Sequence, residues 1–256
     1  MNEKAQAAAL VAAFSMLWVP LGQHGFLLEH WMKVGTFMAP FLVFIAFAFK
    51  TNDTRWIDAR LLSLSLLIAY IVHQFEEHWV DLYGQIFAFK PYLNSFLSNI
   101  LGPPAGAEYV SNASIFVINT SLVWLVGALA VWRGSRHIFA PLCMTAIVVV
   151  NAISHIGAAI SGGSYNPGLL TAVLVFLPLG TFVYVALVRT GQASIGFVFA
   201  SLIWALLGHV VMIGGFVVMS RIEDANELIY FLVLIAWSLL PAFVFPTDQR
   251  GSPSPS

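Results

Sequence analysis

The segment HQFEEH, residues 73–78, sets two adjacent carboxylates between two imidazoles inside a mostly apolar chain. On a helix of 3.6 residues per turn, His73, Glu76 and Glu77 stand at i, i+3 and i+4 and project from one face. A second pair, Asn151 and His155, stands at i, i+4 in VVVNAISHIGAAI, and His209 interrupts WALLGHVVMIGG. Imidazole and carboxylate together are ligands for zinc, iron and manganese, and a carboxylate left over can act as general base on a water. His73, His155, His209 and one of Glu76 or Glu77 would give a divalent ion three or four ligands, with zinc favoured over iron. Asn151 fits a supporting role or that of a donor to a developing oxyanion.

These residues need elements to position them, and composition says which kind. The 256-residue chain is 59% apolar and 9% charged, with net charge −1 and mean hydropathy +0.86, against roughly 25% charged residues in soluble domains. It therefore reads as an all-α, multi-pass membrane protein, and an inner or plasma membrane of bacterial type is the expected location. No basic excess, long basic run or Gly-rich phosphate loop is present, which sets nucleic acid and nucleotides aside. Cys143, the one cysteine, lies in an apolar run and reads as a core residue.

A helix needs about 20 apolar residues to cross the hydrocarbon core. Eight runs of that kind fall at 5–22, 33–50, 58–80, 112–132, 138–160, 168–188, 193–218 and 227–245. Seven spans is the alternative if the first run is cleaved or peripheral. No cleavage site of the small-x-small kind follows it, so it reads as a span rather than a signal peptide. Residues 1–246 are expected to form one helical domain, and the Pro- and Ser-rich 247–256 a disordered tail. With the N-terminus inside, Lys4, Lys50, Arg55, Arg60, Arg133, Arg136, Arg189 and Arg250 lie on the inner side against Lys33, Lys90 and Arg221 outside. That bias predicts both termini inside. The long outer connection 81–111 contains NSFLSNILGPPAGAEY, which predicts a short interfacial helix ended by Gly102, Pro103 and Pro104.

In this topology the third, fifth and seventh spans run from inside to outside, and at 1.5 Å per residue His73, Glu76, Glu77, Asn151, His155 and His209 all sit roughly 20 to 28 Å from the inner ends. One depth for three separate polar intrusions points to one site in the outer third of the membrane. Each carboxylate placed there costs on the order of 2.5 to 3.5 kcal/mol, and no Lys or Arg lies in the adjacent runs to offset it. Protons, water or a metal must. The outer segment 22–35 adds His24, Glu29 and His30, and with His78 these could extend the ligand set to two metals. Its EHWMKVG is similar to EHWVDLYG at 77–84, which reads as chance in a Trp-rich chain; Trp31 and Trp79 read as interfacial anchors.

HQFEE at 73–77, NAISH at 151–155 and the later His209 resemble the marks of the HXXEE-domain family of integral membrane proteins, HXXEE, NXXXH and a C-terminal histidine. YNPGLLTAVLVFLPLG at 165–180 is similar to the family's usual sequel to NXXXH. The resemblance covers roughly residues 15–215 and implies that His73, Glu76, Glu77, Asn151, His155 and His209 belong to one site. It implies no reaction. Tyr165, Asn166, Pro167 and Gly168 read as an outer turn, with Pro167 near the start of the sixth span.

The expected function is that of a metal-dependent membrane hydrolase acting on a membrane lipid or other apolar small molecule. Alternatives are a di-iron oxidase or hydroxylase, which needs more ligands, and a proton- or metal-coupled transporter using Glu76 and Glu77.

Overall fold

The computed structural model describes residues 25–49, 57–104, 108–134, 137–222 and 226–243. The expected first span, the tail 247–256 and His24 lie outside these residues. Among them every regular element is helical: α1 (Gly25–Phe49), α2 (Ala59–His78), α3 (Phe89–Leu101), α4 (Asn112–Arg133), α5 (Phe139–Gly162), α6 (Leu169–Arg189), α7 (Ile195–Arg221) and α8 (Glu227–Phe243). The only pairing of strand type among the described residues is an isolated bridge, Val80 to Ile86, that closes the turn after α2.

Helices α1, α4, α5, α6 and α7 are each long and apolar enough to cross a membrane, which marks a multi-pass membrane protein. Helix α2 has 20 residues, but HQFEEH fills its last turns. Its start is fixed locally: the Asp58 carboxylate accepts from the amides of Arg60 and Leu61, satisfying donors that the first turn leaves unpaired.

Helix α5 is central. Phe139 through Val148 are all buried, and it packs against α2, α4, α6 and α7 around Leu66, Leu142, Met144, Val148 and Phe176. Cys143 is buried there, as its apolar run led one to expect. Small residues let backbones approach where no hydrophobic force acts between helices in lipid. Gly127 is such a point, since a Cβ there would lie 2.9 Å from Leu67 Cδ1. The outward faces remain apolar: Phe37, Phe41 and Phe44 on α1, and Phe199, Ile203 and Val210 on α7, are exposed. Trp31 departs from its expected role as an interfacial anchor. It is buried, with its ring edge-on to His78 and Trp124.

The short helix expected in the 81–111 connection is α3, which begins earlier than NSFLSNIL and ends at Gly102. Its Phe89, Tyr92, Leu93, Phe96 and Leu97 recur at i, i+3, i+4, i+7 and i+8, the stripe of a helix with one apolar face. Helices α4 and α6 each contain a wide π-helical turn, at Asn119–Leu125 and Ala172–Phe176, and both turns begin beside the polar cluster described next.

Candidate metal centre

His73 and Glu77 lie one turn apart at the end of α2, and His155 reaches them from α5. One donor atom of each lies within 4.8 Å of the other two. Glu77 Oε2 is 3.4 Å from His73 Nε2, and Glu77 Oε1 is 3.4 Å from His155 Nε2. A further nitrogen, His78 Nε2, lies 3.0 Å from Glu77 Oε2. All four side chains are buried.

The far sides of the His73 and His155 rings fix what their Nε2 atoms carry, and a contact at Nε2 itself does so for His78. Asn166 donates its amide N–H to the His155 carbonyl at 2.9 Å, so its Oδ1, 2.6 Å from His155 Nδ1, must accept from that nitrogen. The Thr171 hydroxyl donates to Glu76 Oε2 and therefore accepts, at 2.8 Å, from His73 Nδ1. The third ring is fixed by a longer relay. Trp124 Nε1 can only donate, and does so to Gln74 Oε1 at 2.9 Å; Gln74 Nε2 then donates to Asn119 Oδ1 at 2.9 Å. That leaves Asn119 Nδ2 donating to the Ile115 carbonyl and, at 3.1 Å, to His78 Nε2.

The protons of His73 and His155 thus sit on Nδ1, so two Nε2 lone pairs are turned toward one carboxylate, while the His78 Nε2 lone pair is taken by Asn119. Such an array is repulsive without a positive charge inside it. His73 Nε2 is buried with no hydrogen-bond partner, and a divalent cation fits the donor set of two imidazoles and a carboxylate with rings held through their far nitrogens.

Glu76, expected at the same site, is turned away from it. Its Oε1 accepts from Tyr165 Oη at 2.9 Å and from the Leu170 amide at 3.1 Å, and its Oε2 from the Thr171 amide at 2.7 Å and the Thr171 hydroxyl. It caps the start of α6, where amides lack helical partners and the dipole favours an anion. Burial, then the neighbouring Glu76 charge, holds the Tyr165 phenol well above its ordinary range against the lowering effect of the Leu82 amide, so Tyr165 remains a donor.

The turn before α6 shapes the site directly. Gly168 has φ 95°, and a Cβ there would lie 2.8 Å from both His155 Cε1 and His73 Cε1. Glycine is required twice over, for the left-handed backbone and for the approach of two imidazole edges.

Asn151 donates to Tyr70 Oη at 3.0 Å and leaves Oδ1 buried without a partner. His209 does not join the three-donor group. Its Nδ1 bonds to the Ala205 carbonyl one turn back at 2.8 Å, and it lines the cavity beside His155 instead. His30 packs its ring near Phe26 and Phe87, and neither it nor Glu29 belongs to the group.

Two cavities meet at this centre. One, of about 220 Å³, is lined at its polar end by Glu77, His155, Asn151 and Asn166 and elsewhere by apolar and aromatic side chains. The other, of about 350 Å³, carries Glu29, Lys90 and Asn112. His78, Phe89 and Ile115 line both, and the Phe89 ring stands edge-on to His78 at 4.7 Å between centroids.

Fold and site together define a multi-pass helical membrane protein with a buried His–Glu–His group able to hold a metal ion. Residues 64–183 match the model of the HXXEE family, described as "Protein of unknown function with HXXEE motif". The matched region holds His73 through Gly168 and is narrower than the 15–215 over which the motifs carried the resemblance; His209 falls beyond it. No curated protein and no solved structure matches the chain.

Proposed function

We propose that this chain is a metal-dependent membrane enzyme, a hydrolase acting on a lipid or other apolar substrate, with one divalent ion, zinc by preference, held by His73, Glu77 and His155. The observation that carries the reading is the turning of two imidazole lone pairs, those of His73 and His155, toward one buried carboxylate, with both rings held at their far nitrogens by Thr171 and Asn166. A divalent ion held by His73, Glu77 and His155 would supply Lewis-acid chemistry toward a substrate oxygen or a water.

The chain's own residues take the remaining roles. Glu76 is engaged as a helix cap and His78 Nε2 already accepts from Asn119, so proton acceptance falls to the Glu77 oxygen beside His78. Asn151 faces the cavity with one amide atom unpartnered, and with its amide turned over it would accept from Tyr70 and offer N–H groups to a developing oxyanion. The cavity bearing Glu29 and Lys90 provides a polar approach for water across His78 and Phe89. With both termini inside, the charge bias puts the centre in the outer third of the membrane.

A di-iron oxidase is less well supported, because the described residues bring together one three-donor group, without Glu29 or His30. Elemental analysis of the purified protein tests the reading. Zinc near one per chain, lost in His73→Ala and His155→Ala, is expected, together with hydrolysis of a lipid panel that depends on the metal. Two irons per chain would instead favour the oxidase. A metal-free native protein after supplementation during expression would overturn both, and uptake into proteoliposomes would then test the transporter.

A further inference from the structure

The metal-centre reading leaves the substrate as any apolar molecule; the smaller cavity narrows it. We infer that this cavity binds a single-chain amphiphile that enters sideways from the membrane, with an oxygen-bearing head at Glu77 and His155 and its chain directed toward Trp204 and Trp237. The inference rests on the reading of His73, Glu77 and His155 as the reacting end.

The lining is divided in the way an amphiphile is divided. Polar side chains gather around Glu77, His78 and His155, where Asn119, Asn166 and His209 join them from other elements, while Leu122, Ile147, Trp204, Phe216 and Trp237 line the remainder. Volume selects the number of chains. At about 220 Å³ the cavity lies below the ~300–1,000 Å³ usual for ligand sites, which suits one chain or its inner part better than the paired chains of a diacyl lipid. The roof is the apolar stripe of α3, whose five members all line the cavity, so this helix rests directly on the occupant.

The entrance is lateral. Among the lining residues Ser154 on α5 and Ile213 on α7 are exposed. The surface around them is apolar, with Ile153, Ile160 and Val210 exposed. A molecule dissolved in the bilayer therefore reaches the mouth between α5 and α7 without crossing water, whereas the polar cavity opens from the other side of Phe89. Chain and water arrive by separate routes and meet at His78.

Photolabelling of the whole protein in nanodiscs tests this. The probes are a medium-chain fatty acid and a diacyl phosphatidylcholine, each with a diazirine at a chain end, and adducts are mapped by peptide mass spectrometry. Expected are fatty-acid adducts on Trp204, Ala205 or Trp237, with none there from the diacyl probe. Adducts confined to the lipid-facing Phe199, Leu206 and Val210, or equal labelling of the cavity by both probes, would overturn the inference. Ile213→Trp, at a position 43% exposed, should narrow the mouth without disturbing the core and lose most of the cavity adducts; unchanged adducts would refute the lateral entrance. Metal per chain is measured on the same samples. Metal with no cavity labelling sinks the substrate inference alone, and cavity labelling without metal sinks the metal reading alone.

Discussion

Glu77 and His78, neighbours in sequence, bring a carboxylate oxygen and an imidazole nitrogen to 3.0 Å at the very end of α2, where the nitrogen already accepts from Asn119. Two acceptors face each other because Trp124, a pure donor 46 residues beyond His78, dictates the orientation of Gln74 and through it of Asn119. The polar centre is thus wired into the packing of α4.

Trp124→Phe should release that wiring. Gln74 and Asn119 can then turn over, and His78 can move its proton to Nε2 and donate to Glu77. Nitrogen-15 chemical shifts of the histidine rings, recorded on metal-free protein, should report the tautomer change at His78 and none at His73 or His155. A His78 signal unchanged by the substitution would mean that the relay does not set its tautomer.

Asn166→Ala and Thr171→Val remove the groups that hold His155 and His73 by their far nitrogens. Loss of such support typically weakens metal binding about 10- to 100-fold. Zinc titration against a competing chelator should show a loss of that size in each variant while circular dichroism stays native. Affinities within error of the native value would remove the supporting role.

How much of this centre the sequence made legible follows from the range of each interaction. Helical periodicity put His73 and Glu77 on one face, and equal depth along separate spans brought His155 to them, because both arguments need only rise and turn. Neither reports rotation about the helix axis relative to neighbours. Glu76, one residue from Glu77, consequently points to the α6 cap, and His209, at the right depth, bonds to its own helix. Asn166, Gly168 and Thr171 were visible only as a turn and the helix start after it. Their contacts with His155 and His73 span 11 and 98 residues, and no local pattern encodes them. The α3 stripe, by contrast, was readable at i, i+3, i+4 spacing, whereas what it covers was not.

The two adjacent glutamates should separate cleanly. Glu77→Gln is expected to abolish stoichiometric zinc, since it removes the only carboxylate in the three-donor group. Glu76→Gln should retain zinc and lower stability, because an amide cannot accept all four donors aimed at that carboxylate, and each buried donor left unpaired costs about 1–3 kcal/mol. Metal analysis beside denaturant unfolding in detergent reads both effects; loss of zinc in Glu76→Gln with normal stability would contradict the division of labour.

His209→Ala should leave zinc per chain unchanged, because its Nδ1 is committed to the Ala205 carbonyl and its ring lies outside the three-donor group. Loss of the metal on this substitution would restore His209 to the ligand set.

Tyr165 gives a pH dependence of known sign. Its folded value is raised, mainly by burial and then by Glu76, so the stability it contributes is complete below the unfolded value of about 10 and declines as pH rises beyond it toward the folded value. Native protein should therefore lose stability more steeply than Tyr165→Phe above about pH 10, and the two should run in parallel at neutral pH with the variant lower. Parallel curves throughout the alkaline range would show that Tyr165 does not hold its proton for Glu76.

Gly168→Ala offers the sharpest test of geometry because Gly163→Ala provides its control. Both glycines have positive φ, 95° and 62°, so alanine at either costs about 1–2 kcal/mol in backbone strain. Around Gly163 an added Cβ would meet nothing within 4 Å, whereas at Gly168 it would press on Cε1 of both His155 and His73 at 2.8 Å. Those carbons adjoin the Nε2 atoms that face Glu77, and the rings cannot swing aside without breaking their bonds to Asn166 and Thr171. Both variants should therefore lose thermal stability, Gly168→Ala by more than Gly163→Ala because of the added clash, but only Gly168→Ala should lose zinc. Equal zinc in the two would mean that the rings yield freely and that the cluster is not held to the tolerance a metal site requires.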